Sequence, residues 1–219
     1  MIRRGLFLIV LAVVLITPGA RLVSAAGPTR EEALTALADT RDVDNRRRGA
    51  MALAETGVMA DVPKLATALR DDDPLVRQLA ERAMWEVWSR SGDAAVDRLL
   101  ATGVEQMSAR EGELAAQTFT EVIRRRPDFA EGWNKRATVY YLMGEYQKSL
   151  ADCDEVMKRN PYHFGALSGY GMIYLQLDQP AKALDYFQRA LQVNPNLESI
   201  HQTVEMLKPL LIQRRKDTI

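Results

Sequence analysis

Pro127, Pro161 and Pro195 stand 34 residues apart, and Phe119, Cys153 and Phe187 repeat at the same interval. A fixed period of about that length is the signature of stacked helical hairpins. One hairpin cannot bury its apolar face alone, so hairpins must stack, and stacking builds a concave surface suited to gripping another chain. The period therefore predicts a scaffold rather than a catalyst.

Written in that register, the chain divides into units 96–129, 130–163 and 164–197. The fourth place holds Leu99, Trp133 and Leu167, the eighth Gly103, Ala137 and Gly171, and the eleventh Gln106, Tyr140 and Tyr174. Ala115, Ser149 and Ala183 fill the twentieth place and Val122, Val156 and Ala190 the twenty-seventh, so the second helix of each unit can nest against the first. Each proline ends a helix, because its ring and missing N–H cannot continue one.

Columns recurring in phase over roughly half the chain resemble the tetratricopeptide repeat family. The resemblance implies an all-α fold, an α-α superhelix (right-handed solenoid) of helical hairpins. The third unit matches best, through Leu167, Tyr170, Gly171, Tyr174, Ala183, Phe187, Ala190 and Pro195. The first matches least. Thr102 and Gln106 stand where the family favours an apolar and an aromatic residue, and Gly112, read as its turn glycine, comes two places later than Gly144.

Residues 28–95 carry a second self-similarity, 45–53 against 75–83, with Arg47 and Arg77 30 residues apart. Asp61-Val62-Pro63 and Asp73-Pro74 read as helix starts, an aspartate accepting from free first-turn amides and a proline losing nothing there. Asp71-Asp72-Asp73-Pro74 before an Ala-rich helix resembles a short HEAT-type repeat. Gly92-Asp93 leads directly into a helix from about 94 to 109, which predicts one continuous solenoid with that helix serving both arrays. Asp71, Asp72 and Asp73 lack the alternating ligands and distal glutamate of a calcium loop, and favour a helix start instead.

At the C-terminus, 198–219, Ile200, Val204, Leu207 and Leu211 recur at helical spacing, as a capping helix requires, with Pro209 a candidate kink. The basic tail Arg214-Arg215-Lys216 reads as solvated. At the N-terminus, Arg3 and Arg4, an apolar run over 5–16 and then Val23-Ser24-Ala25-Ala26 are the parts of a secretory signal peptide over 1–25, with cleavage after Ala25 or Ala26. The alternative is an uncleaved anchor, although the run is short for a bilayer and Pro18, Gly19 and Arg21 interrupt it. Cleavage removes Arg3, Arg4 and Arg21, so 29 basic against 29 acidic residues become an acidic excess of three. That balance argues against nucleic acid, which needs a basic face. A periplasmic or secreted location follows, with membrane contact only if the segment stays uncleaved.

Catalytic and cofactor motifs are missing from the sequence. His163 and His201 are 38 residues apart with no cysteine or histidine at metal-ligand spacing, and there is no phosphate loop or nucleophile elbow. Cys153 cannot form an internal disulfide, and its register predicts a buried core position. No cofactor, metal or small-molecule substrate is expected.

The family lines its concave groove with the first helix of each unit. By that resemblance the candidate lining is Leu100, Val104 and Met107, then Asn134, Thr138 and Tyr141, then Ser168, Met172 and Leu175, with Leu100 and Val104 equally open to packing between repeats. Relatives that hold a chaperone C-terminal carboxylate use lysines, arginine and asparagines there. Only Asn134 and Lys135 are similar to that set, and Ser168 and Gly169 bring no positive charge, so a carboxylate clamp is not expected. A protein or peptide partner is expected, with Tyr141 and Met172 as adaptable contacts and Asn134 bonding the ligand backbone. Two functions follow: a non-catalytic adaptor in a bacterial-type cell envelope, or an accessory part of an envelope enzyme or transport assembly, including a HEAT-like activity resembling bilin lyases.

Overall fold

The computed structural model describes residues 27–216, so the expected signal peptide lies outside the described residues. Among these, all regular structure is helical. The first hairpin pairs α1 (Arg30–Leu37) with α2 (Val43–Thr56), and the second pairs α3 (Val62–Ala68) with α4 (Pro74–Trp88). Their starts follow from local chemistry. Thr29 and Glu32 close a capping box at the head of α1, and the Asp42 side chain accepts from the amides of Asp44 and Asn45. Asp73 accepts from the Val76 amide, with Pro74 in the first turn where no N–H is needed.

Asp61 departs from its expected capping role. It makes no side-chain bond to the head of α3. Its buried carboxylate takes both Nε and Nη2 of Arg30 and, at 2.9 Å, the Val58 amide. The Asp71–Asp73 run likewise does more than start a helix. Arg46 grips Asp71 at 2.7 and 3.0 Å, Arg47 holds Asp73, and Arg77 donates to the carbonyls of Asp71 and Asp72. The acidic run is thus a clasp between the two hairpins.

The three 34-residue units fold as α5 (Ala94–Ser108) with α6 (Gly112–Arg125), α7 (Ala130–Leu142) with α8 (Tyr146–Arg159), and α9 (Phe164–Gln176) with α10 (Pro180–Val193). The cap residues Arg126, Asn160 and Asn194 end the second helices, and Pro127, Pro161 and Pro195 follow directly. Ala115, Ser149, Ala183, Val122, Val156 and Ala190 are all buried between helices. The Ser149 hydroxyl donates to the Ala137 carbonyl at 2.7 Å and ties α8 to α7.

The turn inside each unit corrects the reading of Gly112. The left-handed residue falls at the fifteenth place throughout, as Arg110 (φ 63°), Gly144 (φ 77°) and Asp178 (φ 51°). Gly112 is instead the first residue of α6, packed under the Met143 side chain.

The last helix, α11 (Glu198–Lys216), closes the stack. Val204 and Leu207 are buried against Ala183 and Phe187, with Ile200 beside them. Pro209 lies inside α11 without interrupting it.

The N-terminal hairpins meet the repeats by an unexpected route. Val96 and Leu100 of α5 belong to a core shared with Phe119, Val122 and Val139, and no residue of α5 enters the core of the N-terminal hairpins. The expected sharing of that helix by both arrays is therefore not what joins them. Instead α4 lies along the turns that connect unit two, unit three and the cap. Asn196 donates to the Leu69 carbonyl at 2.8 Å at the end of α3, and Asn194 donates to Glu81 of α4 at 3.0 Å. Trp85 then meets Phe164 edge-on at 5.2 Å, and Trp88 stacks on His163 at 4.4 Å. Tyr162, Phe164, Val193 and Leu197 complete the N-terminal core from the repeat side.

Candidate peptide-binding groove

The first helices of units two and three, α7 and α9, flank a depression of about 280 Å³. Five of the residues expected on the concave face line it: Asn134, Thr138 and Tyr141 from α7, Ser168 and Met172 from α9. Cys153 and Gly169 form part of its floor, and Ile200 reaches in from α11. Two expected residues lie elsewhere. Met107 packs beside the core of unit one and lines a separate depression with Leu142 and Met143, while Leu175 packs against the core around Phe187. Leu100 is buried and Val104 packs beside it, so both serve packing.

Every residue lining the depression is uncharged. Four of its side-chain donors are engaged internally. Thr138 donates to the Asn134 carbonyl at 2.9 Å, Ser168 to the Phe164 carbonyl at 2.8 Å, and Ser149 to Ala137 as above. The Asn134 amide donates to Glu131 at 3.1 Å, which engages one of the two N–H groups of the residue expected to bond a ligand backbone. Lys135 sits 3.0 Å from the same carboxylate, and Arg136 makes a two-point pair with Asp152 at 2.8 Å. The cations on α7 are thus held by acids of the protein itself.

Cys153 is a poor nucleophile: burial, assisted by the charges of Asp152 and Asp154, pushes its thiol up to about 12. Among the described residues no group of three His, Cys, Asp or Glu side chains is placed to hold a metal ion.

One buried cluster escaped the sequence reading. His163 and Glu131 are both fully buried, with Nε2 of the imidazole 3.0 Å from Glu131 Oε2. Nδ1 accepts from the Ala166 amide at 3.0 Å and so caps α9, which leaves Nε2 to carry the proton donated to Glu131. Burial opposes ionisation of Glu131, but the His163 bond and the charge of Lys135 outweigh it and hold the carboxyl below its ordinary range. A signal for this cluster existed. His163 holds the thirty-fourth place, where the other units have Phe129 and Leu197, and a polar residue in an apolar column needs a buried partner.

Comparison with known proteins agrees with this geometry. Residues 128–196 match the Tetratricopeptide repeat family. A TPR repeat-containing protein of Rhizobium etli is 33% identical over 128 residues, covering 58% of this chain and 63% of that protein. Hsp70-Hsp90 organizing protein 1 of Glycine max is 24% identical over 151 residues, covering 66% of this chain and 26% of that protein. The chain thus spans less than two thirds of the length of either relative. Among solved structures, the first TPR of Spaghetti (RPAP3) bound to the HSP90 peptide SRMEEVD aligns with TM-score 0.51 and 18% identity, covering 53% of this chain and 93% of that one. The Sgt2 TPR domain from Aspergillus fumigatus aligns with TM-score 0.53 and 17% identity, covering 57% and 83%. At such identities these structures share the fold.

Proposed function

The chain carries tetratricopeptide repeats, and from that premise we propose that it is a non-catalytic adaptor that holds a protein or peptide partner in the groove between α7 and α9. Stacked repeats of this kind are interaction scaffolds, each hairpin adding to one continuous surface. The observation that carries the reading is the convergence of Asn134, Thr138, Tyr141, Ser168 and Met172 on one uncharged depression. The RPAP3 repeat holds a peptide ending in Glu-Glu-Val-Asp. This groove presents no cation to such an end, because Lys135 and Arg136 are paired with Glu131 and Asp152. The partner is therefore of another kind.

The setting we propose is the cell envelope, on the strength of the basic, apolar and small-residue succession over 1–25. N-terminal sequencing of the exported protein tests this, with a start at Ala26 or Gly27 expected and an intact Met1 opposing it. The groove itself is tested by capture from an envelope extract with wild type and Met172→Glu. Met172 is exposed, so the variant folds. Loss of a specific partner supports the reading, and unchanged capture opposes it.

A further inference from the structure

The glycines of α9 do not have equal reasons to be glycine. At Gly165 a Cβ would meet the Trp85 ring at 2.7 Å, and at Gly171 it would overlap the ring of Phe187. Both are required by packing. Gly169 is different. A Cβ there would meet only the Cys153 Sγ, at 3.8 Å, an ordinary contact. A glycine inside a helix loses stability relative to alanine through its backbone entropy, and nothing packed against Gly169 offsets that loss. Its position is the floor of the groove.

We propose that Gly169 is the specificity-determining residue of the groove, kept bare so that one bulky apolar side chain of a partner peptide can seat between Tyr141 and Met172. The inference rests on the groove reading above. The chemistry of the occupant follows from the lining. The volume of about 280 Å³ admits one large apolar side chain with room around it. Thr138, Ser168, Ser149 and the Asn134 amide already donate within the protein. A charged side chain would lose its water there without meeting an opposite charge, whereas an apolar one gains from burial. Tyr141 and Met172 supply a rigid wall and an adaptable one.

The test uses nitrogen-labelled protein, as the cell processes it, and Gly169→Ala. The probe is the blocked peptide acetyl-Ala-Ala-Phe-Ala-Ala-amide, followed by amide chemical shifts. Matched peptides carry lysine or aspartate in place of the phenylalanine, and SRMEEVD serves as an acidic-tailed control. The phenylalanine peptide shifts Thr138, Gly169, Met172 and Ile200, and the charged peptides do not. Gly169→Ala melts at the wild-type temperature or above it, yet binds the phenylalanine peptide at least about fivefold more weakly, since the added methyl stands on the floor where the ring would rest. Equal binding by Gly169→Ala, or a lower melting temperature, overturns the role of Gly169. Groove shifts with SRMEEVD but not with the phenylalanine peptide overturn the apolar occupant while leaving a peptide groove in place. If no peptide shifts these residues, the groove reading and this inference fall together.

Discussion

Phe187 fills the space that a side chain on Gly171 would need: a Cβ built there stands 2.5 Å from the ring Cδ1 and 2.7 Å from Cζ. The relationship recurs two units earlier, where Phe119 Cε1 would stand 2.5 Å from a Cβ on Gly103. In unit two the eighth place is Ala137 and the twenty-fourth is Cys153, both buried. A larger eighth residue is accommodated by a smaller twenty-fourth, so volume across the hairpin is shared between the two places.

Gly171→Ala is therefore expected to destabilise the protein by about 1–2 kcal/mol, an overpacking cost partly offset by alanine's better helix propensity. Adding Phe187→Cys, which reproduces the pair in unit two, relieves the overlap. In urea denaturation the double variant should lose less stability than the sum of the two single ones. Additive losses would show that the two places do not share volume.

Arg110 offers a gain. It occupies the left-handed region at φ 63°, where unit two has Gly144 at φ 77°. A non-glycine residue there carries a steric cost that glycine avoids. Arg110→Gly should raise stability by about 0.5–1 kcal/mol and Gly144→Ala should lower it by a similar amount. Thermal melts of the two variants check the pair of signs.

These two effects show how unevenly the fold was legible. Columns eight, twenty, twenty-four, twenty-seven and thirty-two could be read because each repeats locally, and helices α5–α10 follow from them, with α11 legible from its own apolar spacing. Gly112 misled because the left-handed place is held by arginine in unit one, so the usual glycine marker is absent. The seat of α4 was not legible. Asn194 meets Glu81 across 113 residues, and no periodicity records such a contact. In the groove, the register placed Thr138, Tyr141 and Met172 on one face. The Asn134 amide turns to Glu131, three residues earlier on the same helix, a pairing that helical spacing allows but that is fixed by the burial of Glu131 against His163, a contact 32 residues away.

Acid should loosen the N-terminal hairpins. Arg30 beside Asp61 and Arg46 beside Asp71 hold both carboxyls below the ordinary range, and Arg47 takes Asp73 down to about 2. Carboxyls with folded values below their unfolded ones stabilise the fold fully above the ordinary aspartate range, and lose that contribution as pH falls toward the folded values. The hairpins should thus stay intact at neutral pH and loosen on titration from about pH 4 to about pH 2. Near-ultraviolet circular dichroism in a Trp133→Phe background follows Trp85 and Trp88. A signal that stays flat across that range would show that the clasps contribute little.

Glu131 supports the joint between α4 and the repeats from behind His163. Its carboxylate receives His163, Asn134 and Lys135, and His163 in turn carries Trp88 on its face. Glu131→Ala strands the buried His163 and Asn134 without their acceptor, so a loss of about 3–5 kcal/mol is expected. An apolar replacement of the whole pair behaves differently, because the desolvation of both groups is removed together. His163→Phe restores the residue type found at Phe129, and Lys135 is exposed enough to turn into water. The double variant Glu131→Leu with His163→Phe should then recover part of the loss, with Asn134 and the Ala166 amide still lacking their acceptors, and Trp88 should keep its near-ultraviolet signal. If the double variant is as unstable as Glu131→Ala, the polar pair itself, rather than the filled space beneath Trp88, holds α4 on the repeats.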